Sequence, residues 1–133
     1  PPEESEGFLA LAKGIDMIFL LAPTSTPARI QQVGKISKGF VYYISLTGTT
    51  GTKESLSEGL EEKVKEIKNT VSLPVLVGFG VSGPEQARQA AQISDGVIIG
   101  SAIVKLIDTH SDPAERDIKL AEFLISIQKA INP

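Results

Sequence analysis

The sequence predicts an α/β fold of the (β/α)8 TIM-barrel type, of which the chain supplies about four β/α units. Short apolar strands alternate with longer segments of helical periodicity, an order typical of parallel strands joined by right-handed crossovers. No hairpin signal joins any two strands. Because a closed barrel needs about 250 residues, the 133 residues of this chain correspond to half of one. We expect residues 1–133 to form a single domain, and an acidic start that leads directly into a helix indicates a fragment.

An open, doubly wound parallel sheet is the alternative architecture. Such sheets usually bind a nucleotide at a glycine-rich turn after the first strand. In this chain the first strand is followed by Ala22, Pro23 and Thr24, which do not form a turn of that kind. The barrel is therefore the favoured fold.

The first part of the chain is predicted to hold two helices with a strand between them. A helix over residues 3–13 ends at Gly14, since glycine commonly follows a helix end. A buried strand over residues 16–22 is ended by a proline. The next helix starts at Thr26, an N-cap residue followed by a proline at the first helical position. The apolar positions of the two helices are Phe8, Leu11 and Ala12, then Ile30, Val33 and Ile36 or Ser37.

The middle of the chain holds the second strand, a polar loop and the most regular helix. The strand is predicted over residues 40–46, and the helix over 55–69 begins with a capping box of Ser55 and Glu58. Between them, residues 45–54 contain two glycines and four threonines. This loop is longer than a strand-to-helix connection needs, and such loops often close over ligands as lids. The apolar stripe of the helix consists of Leu56, Leu60, Val64, Ile67 and Val71.

The third and fourth strands are short apolar runs, one through Val75–Val77 and one over residues 95–100. Because successive positions are apolar, both faces of each strand are expected to be covered. The helix between them is predicted to be capped by Ser82 and Glu85. Its small residues should let it lie close to the sheet, and they are Ala87, Ala90 and Ala91.

Two further helices complete the pattern. A short helix is predicted over residues 101–108, and Asp112 caps the last helix. His110 lies in the polar connection between them and is expected to be an exposed residue rather than a base. The apolar side of the last helix consists of Leu120, Leu124, Ile127 and Ile131.

Glycines stand where the third and fourth strands stop, at Gly78, Gly80 and Gly100. Glycine lets backbone N–H groups approach a ligand closely, and the N-terminus of the following helix adds unpaired N–H groups and a partial positive charge. The simpler interpretation is that these glycines only make turns. Since both strand ends show the pattern, we predict that together they bind a phosphate group.

The composition argues against several classes of function. The net charge is −3 and no basic cluster is present, so we expect no nucleic-acid partner. Without cysteine the chain has no disulfide framework and no thiolate metal site, and we expect no metal. The longest strongly apolar run, residues 17–22, is too short to cross a membrane. Together with the lack of a signal peptide, these features predict a cytoplasmic protein.

Five motifs occur in the order and spacing of the tryptophan synthase alpha subunit. Each is weak alone, but together they cover essentially the whole chain, which resembles the C-terminal half of that family's barrel. They are residues 2–5, Leu21–Pro23, Tyr42–Ser45 with Gly48–Gly51, Gly78–Ser82, and Gly100–Val104.

The resemblance implies a lyase of tryptophan biosynthesis that cleaves indole-3-glycerol phosphate into indole and glyceraldehyde 3-phosphate. It also implies a beta-subunit partner, in a complex of two alpha and two beta subunits. Pyridoxal phosphate would belong to that partner, and no cofactor is expected in this chain.

Roles for individual residues follow from the same resemblance. Thr50 matches the lid threonine that orients a catalytic aspartate, and the loop at Pro23 and Thr24 would face the beta subunit. The lid sequence over residues 46–51 departs from the family's frequent Arg-Ala-Gly-Val-Thr-Gly, and Thr24 stands where asparagine is common. The substrate-binding residues would be Gly51, Gly80, Gly100 and Ser101 for the phosphate, and Tyr42, Phe79 and Ile98 for the indole ring.

No acid or base stands at the predicted carboxyl ends of the strands. The cleavage needs an acid to protonate indole C3 and a base to take a proton from the glycerol hydroxyl. Asp16 and Asp95 begin strands and are expected to be structural, and Glu54 has no matching role in the family. The family's catalytic Glu and Asp come from the N-terminal half of the barrel. We therefore expect this chain to be inactive alone and to need that half.

Two other functions are open at this point. One is a non-catalytic phosphate-binding half-barrel that self-associates, because an open half-barrel leaves two unpaired strand edges and an exposed inner face. The other is a different phosphate-binding barrel enzyme, which the lid sequence disfavours.

Overall fold

The computed structural model describes residues 2–45, 53–78 and 80–132, with the backbone alone for residues 53–58. Its elements are, in chain order, a 3-10 turn (Pro2–Glu4), α1 (Glu6–Leu11), β1 (Leu20–Leu21), α2 (Pro27–Ile36), β2 (Val41–Ile44), α3 (Lys53–Thr70), β3 (Val75–Gly78), α4 (Pro84–Ile93), β4 (Gly96–Val97), α5 (Ser101–Thr109) and α6 (Pro113–Ile131). The four strands form one parallel sheet in the order β1-β2-β3-β4. Among the helices of these residues, none is both long and apolar enough to cross a membrane.

One face of the sheet carries the main hydrophobic core. Val41 and Tyr43 on β2, with Val75 and Val77 on β3, are almost fully buried. Apolar residues of β1, α2 and α3 and of the residue that follows α3 complete this core, and they are Leu21, Ile30, Val33, Val64, Ile67 and Val71.

The opposite face of the sheet, called the inner face below, is only half-buried. It carries the alternate strand residues Tyr42, Ile44 and Leu76, together with the more exposed Leu20. The prediction that the third and fourth strands are covered on both faces is therefore wrong for the described chain. The core helices pack on the face that carries Val75 and Val77, so the other face of β3 is left partly open. Residues 97–99, at and after β4, are half-buried as well.

The two outer strands are shorter than predicted. β1 covers Leu20–Leu21 where a strand over 16–22 was expected, and β4 covers Gly96–Val97 where one over 95–100 was expected. Both strands pair on one side only, with β2 and β3 respectively. An apolar run indicates burial, whereas a strand also needs a paired neighbour, so the run overestimates the length of an edge strand.

Helix α1 differs most from its prediction. It ends at Leu11, and its C-cap is Ala12 rather than Gly14. The expected apolar side is open to solvent, with 61% of Phe8 and 85% of Leu11 exposed. Helical spacing of apolar residues shows which side of a helix is apolar, but it cannot show whether a neighbour within the same chain covers that side.

The caps of α2 and α6 are confirmed. The Thr26 hydroxyl accepts a hydrogen bond from the backbone N–H of Arg29 at 3.3 Å, and a proline follows it at the first helical position. The Asp112 carboxylate accepts from the N–H of Glu115 at 2.8 Å. The predicted capping box of Ser55 and Glu58 lies outside the described side chains.

The predicted cap of α4 is wrong by one residue. Gly83 is the N-cap, because Pro84 takes the first helical position and the N-cap is the residue before it. Gln86 is then the third helical residue, whose side chain can fold back over the start of the helix, and its side-chain oxygen accepts from the N–H of Ser82 at 2.7 Å. Glu85 instead pairs with Arg88 on the surface.

A second, smaller core lies between α4 and α6. Val81, Ala87 and Ile127 are buried there, with Val97 and Ile99 packed against them. The alanine surface of α4 thus packs on α6 as well as on the sheet. Leu124, predicted on the apolar side of α6, is half-exposed, since it lies away from the side that meets α4.

Candidate functional site

The carboxyl ends of the strands meet at one edge of the sheet, because all four strands are parallel. β3 and β4 are neighbours, with Val77 paired to Val97. The N–H of Ile98 continues this pairing by donating to the carbonyl oxygen of Val77 at 2.9 Å. The two glycine-bearing strand ends singled out in the sequence are therefore adjacent, and the structure brings Gly80 and Gly100 to the same edge.

Gly80 has a backbone conformation that favours glycine. Its φ is +76°, in the left-handed region that other residues rarely adopt. The residue is exposed, and a Cβ placed on it would meet no atom within 4 Å. Val81, which follows directly, is buried in the second core. The chain at Gly80 is thus open towards solvent while being anchored on its C-terminal side.

The N-terminus of α5 presents N–H groups that no described side chain caps. The N-cap is Gly100, which has no side chain to accept a bond from the first-turn N–H groups. Its carbonyl oxygen accepts from the N–H of Val104 at 3.1 Å. Ser101 is exposed at the first helical position. First-turn N–H groups have no partner within their own helix, and the helix dipole makes this end partially positive. An anion at this edge would therefore meet backbone donors that no described side chain caps.

Tyr42 lies across Gly78 on the inner face. A Cβ built on Gly78 would stand 2.7 Å from the tyrosine hydroxyl and 2.8 Å from its Cε2 atom, closer than real contacts allow. In the sheet register Tyr42 is opposite Leu76 and Gly78 comes two residues later. The ring therefore leans towards the carboxyl edge and fills the space that a side chain at Gly78 would occupy.

The inner face near this ring is apolar. Val97 and Ile99 pack against the second core, and Ile98 lies between them, directly after β4. Ile98 and Tyr42 are both half-buried. Of the predicted ring-contacting residues, Tyr42 thus lies on the inner face, and Ile98 lies at the end of β4, the strand next to β3.

Three predicted site residues lie outside the described residues. These are Thr50 and Gly51 in the predicted lid and Phe79 between β3 and Gly80. Their roles stay predictions.

The described strand ends carry no ionisable side chain. Residues 22–26, Ser45, residues 80–83 and residues 98–101 contain no Asp, Glu, His, Lys or Arg. Among the residues that the structure describes, no three His, Asp or Glu side chains are grouped so that they could hold a metal ion. The described strand ends therefore carry no negative charge that would repel an anion, and they offer no acid or base for catalysis either.

Asp95 is a structural residue, as predicted. Its carboxylate accepts from Nζ of Lys68 at 2.6 Å and from the N–H of Val75 at 2.8 Å. The hydrogen bond from Lys68, followed by that from Val75, lowers the pKa of Asp95. These bonds join the end of α3 to the starts of β3 and β4, at the edge opposite the candidate site.

His110 is not the exposed residue that was expected. It is the C-cap of α5 and is half-buried, with Nδ1 3.0 Å from the carbonyl oxygen of Leu106. The ring folds back on the last turn of its own helix. It lies at the other end of α5 from Ser101, so it does not reach the candidate site.

Sequence reasoning missed the relation between Tyr42 and Gly78. Gly78 was interpreted as a strand-end glycine that admits a ligand, whereas the structure shows it making room for an aromatic ring. The available signal was an aromatic residue on one strand and a glycine on the next. Its meaning depended on the register, which the sequence does not reveal.

Comparison with known proteins gives consistent matches. A family model described as tryptophan synthase alpha chain matches residues 1–132. The tryptophan synthase alpha chain of Pelobacter propionicus is 43% identical over 133 residues, and that of Paraburkholderia phymatum is 47% identical over 134 residues. These matches cover 98% and 99% of this chain but 49% of each relative. The chain thus spans about half the length of the curated relatives it matches.

Solved structures agree with the sequence matches. Tryptophan synthase subunit alpha from Legionella pneumophila has a TM-score of 0.79 at 30% identity, covering 99% of this chain and 49% of its own. Tryptophan synthase from Mycobacterium tuberculosis has a TM-score of 0.78 at 33% identity, covering 98% of this chain and 47% of its own. These neighbours are TIM barrels. The predicted fold class, about four β/α units of such a barrel, is confirmed.

Proposed function

The chain belongs to the tryptophan synthase alpha chain family, and we propose that the carboxyl edge of its sheet binds the phosphate group of indole-3-glycerol phosphate. The reaction proposed for the whole barrel is cleavage into indole and glyceraldehyde 3-phosphate. The observation that carries the proposal is the adjacency of two strand ends that combine an open glycine, an uncapped helix N-terminus and no ionisable side chain. Barrel enzymes commonly bind phosphate at such a place, after neighbouring strands.

In this proposal the phosphate is held mainly by backbone N–H groups at Gly80, Gly100 and Ser101. Backbone donors suit the task because their positions are set by the strand ends and the start of α5, so little ordering is needed on binding. The predicted lid residues Thr50 and Gly51 would add contacts from above.

The indole ring would lie on the inner face. Tyr42 on this face and Ile98 at the end of β4 offer half-buried apolar surface, and Phe79 is proposed as the third ring contact. Because Tyr42 is held over Gly78, its ring lies close to the strand ends where the phosphate is proposed to bind. A single ligand with an aromatic ring and a phosphate group would thus contact both parts of the site.

The acid and the base of the cleavage are proposed to come from elsewhere. The described strand ends have no ionisable side chain, while the reaction needs two groups that transfer protons. We propose that four complementary β/α units supply a Glu and an Asp and cover the inner face. The half-buried apolar residues of the inner face and the exposed Leu20 beside them support this, because an apolar sheet face is normally covered by a partner.

A beta subunit that carries pyridoxal phosphate is the proposed protein partner of the completed barrel. The turn at Pro23 and Thr24, exposed after β1, is the proposed contact with it.

The experiment that tests the function combines intact mass and an indole-release assay on the same sample. The chain alone should bind glycerol 3-phosphate and release no indole, whereas a sample that also contains the complementary half should release indole. Indole release by the 14.1 kDa chain alone would refute the proposed division of roles. A stable dimer of the chain that binds phosphate, and that no complementary half makes active, would favour the self-associating half-barrel instead.

A substitution separates phosphate binding from folding. Gly100 has a φ of −118°, which other residues adopt, and a Cβ there meets no atom within 4 Å. Gly100→Ala should therefore fold normally but place a methyl group where the phosphate approaches, weakening glycerol 3-phosphate binding by about tenfold, the loss expected for one hydrogen bond to a charged group. Gly59→Ala, an equally open position in α3, is the matched control and should bind as the unchanged chain does.

A further inference from the structure

We propose that Lys63 is a positioning residue that fixes the turn after β1 against α3, at the carboxyl edge of the sheet. Its Nζ donates to the backbone carbonyl oxygen of Ser25 at 2.8 Å and to the carboxylate of Glu66 at 2.8 Å. The first bond joins residues 38 apart in the chain. It connects two elements that follow different strands of the sheet, and it does not depend on which ligand the edge binds.

The position of Lys63 on its helix is unusual for a cation. It lies four residues before Ile67 and next to Val64, both of which are fully buried in the core. Its side chain is only 16% exposed. An apolar residue would continue the buried stripe of the helix at this position. The lysine is therefore not explained by the amphipathic pattern of α3.

The turn that Lys63 contacts has a fixed shape of its own. The N–H of Ser25 donates to the carbonyl oxygen of Ala22 at 2.9 Å, and the Ser25 hydroxyl accepts from the N–H of Ala22 at 2.9 Å. These bonds close the turn locally. The bond from Lys63 ties the turn to α3, in addition to the packing of α2 on α3 in the main core.

The energetics point to placement rather than stability. Lys63 is mostly buried whereas 39% of the Glu66 side chain is exposed, so water screens their attraction while burial of the lysine opposes it, and the pair adds little net stability. A hydrogen bond from a charged amine to a carbonyl oxygen is stronger than one between neutral groups, so it holds its acceptor near the donor. Lys63 therefore specifies where the carbonyl group of Ser25 lies, and with it the exposed tip at Pro23 and Thr24.

Hydrogen exchange tests the proposal on the chain, combined with its complementary half if that half is needed for stability. Lys63→Met should speed exchange of the Ala22 and Ser25 amides, which are hydrogen-bonded within the turn, by about tenfold, the change expected for loss of one hydrogen bond from a charged donor. Exchange of Val75 and Val77 in β3 should change less than about twofold. Lys63→Arg keeps a long cationic donor and should restore protection of the turn. Lys65→Met, an exposed lysine of the same helix, is the matched control and should leave the turn unchanged.

Three results would overturn the proposal. One is equal protection of the turn in Lys63→Met and Lys65→Met. Another is faster exchange in β3 to the same extent as in the turn, which would show that Lys63 only supports the fold. The third is failure of Lys63→Arg to restore protection. If Lys63→Met does not fold, Lys63→Gln, whose donor is too short to reach the same acceptor, takes its place with the same expectations.

Discussion

Replacing Gly78 by alanine perturbs the ring surface of the candidate site through a single methyl group. The new Cβ would stand 2.7 Å from the Tyr42 hydroxyl and 3.1 Å from its Cζ atom, where ordinary contact begins at 3.4 Å. The ring must therefore move by about 0.7 Å or more. Because the inner face is half-open, the ring can move outward, so the cost in unfolding free energy should lie near the lower end of the overpacking range, about 1 kcal/mol.

Urea unfolding measures this cost, and a double-mutant cycle assigns it to the ring. In a Tyr42→Ala background the methyl group meets no ring, so Gly78→Ala should change the unfolding free energy by less than about 0.5 kcal/mol. Gly59→Ala controls for the general effect of alanine and should be neutral or stabilising, because the site is open and helical. Equal costs of Gly78→Ala with and without Tyr42 would refute the assignment.

Binding measurements give the functional side of the same prediction. Displacing the ring should weaken the binding of indole-3-glycerol phosphate, while glycerol 3-phosphate, which has no ring, should bind as before. An equal loss for both ligands would show that Tyr42 does not serve the indole ring.

Three further predictions concern stability. Gly34→Ala would place a methyl group 2.6 Å from Cγ1 of Val71, the residue directly after α3, and should cost about 1–3 kcal/mol in urea unfolding. In a Val71→Ala background the same substitution should cost much less, and an equal cost in both backgrounds would contradict the contact. Asp95→Asn should cost less than about 1 kcal/mol at pH 7, because 38% of Asp95 and 39% of Lys68 are exposed. The fold lowers the pKa of the Asp95 carboxyl, so the stabilisation from its charged form is present above the unfolded pKa near 4 and is lost as the pH falls through the folded pKa. The difference in unfolding free energy between Asp95→Asn and the unchanged chain should therefore vanish in acid. A difference that persists there would contradict this. Asp112→Ala should lower the unfolding free energy by about 1 kcal/mol, because it removes the cap of α6. Asp112→Ser, whose hydroxyl can also cap the helix, should keep most of that stability.

The order of strands and helices could be predicted from the sequence because each element carries its own signal. Thr26 and Asp112 cap their helices as the pattern indicates, and parallel pairing follows from the helices between strands. The limits of β1 and β4 could not be predicted, since pairing at an edge depends on a neighbour as well as on apolar character. Exposure of α1 could not be predicted either, because the spacing of its apolar residues does not show whether another element covers them.

The candidate site was predictable where it depends on topology and not where it depends on register. Adjacent ends of β3 and β4 follow from parallel strands in sequence order, so Gly80 and Gly100 could be placed together. The lean of Tyr42 over Gly78 and the bond from Lys63 to Ser25 depend on which side chains meet across elements. Those contacts join residues far apart in the chain, and no local pattern encodes them.

The most direct test of phosphate binding at this edge is an amide NMR titration of the chain with glycerol 3-phosphate. We expect the largest shift changes at the N–H groups of Gly80, Gly100 and Ser101, and no change at Lys68 and Asp95 on the opposite edge. Saturable changes centred on those three amides would support a phosphate site formed by the ends of β3 and β4. Changes centred on surface lysines, or none at Gly100 and Ser101 at saturating ligand, would contradict it.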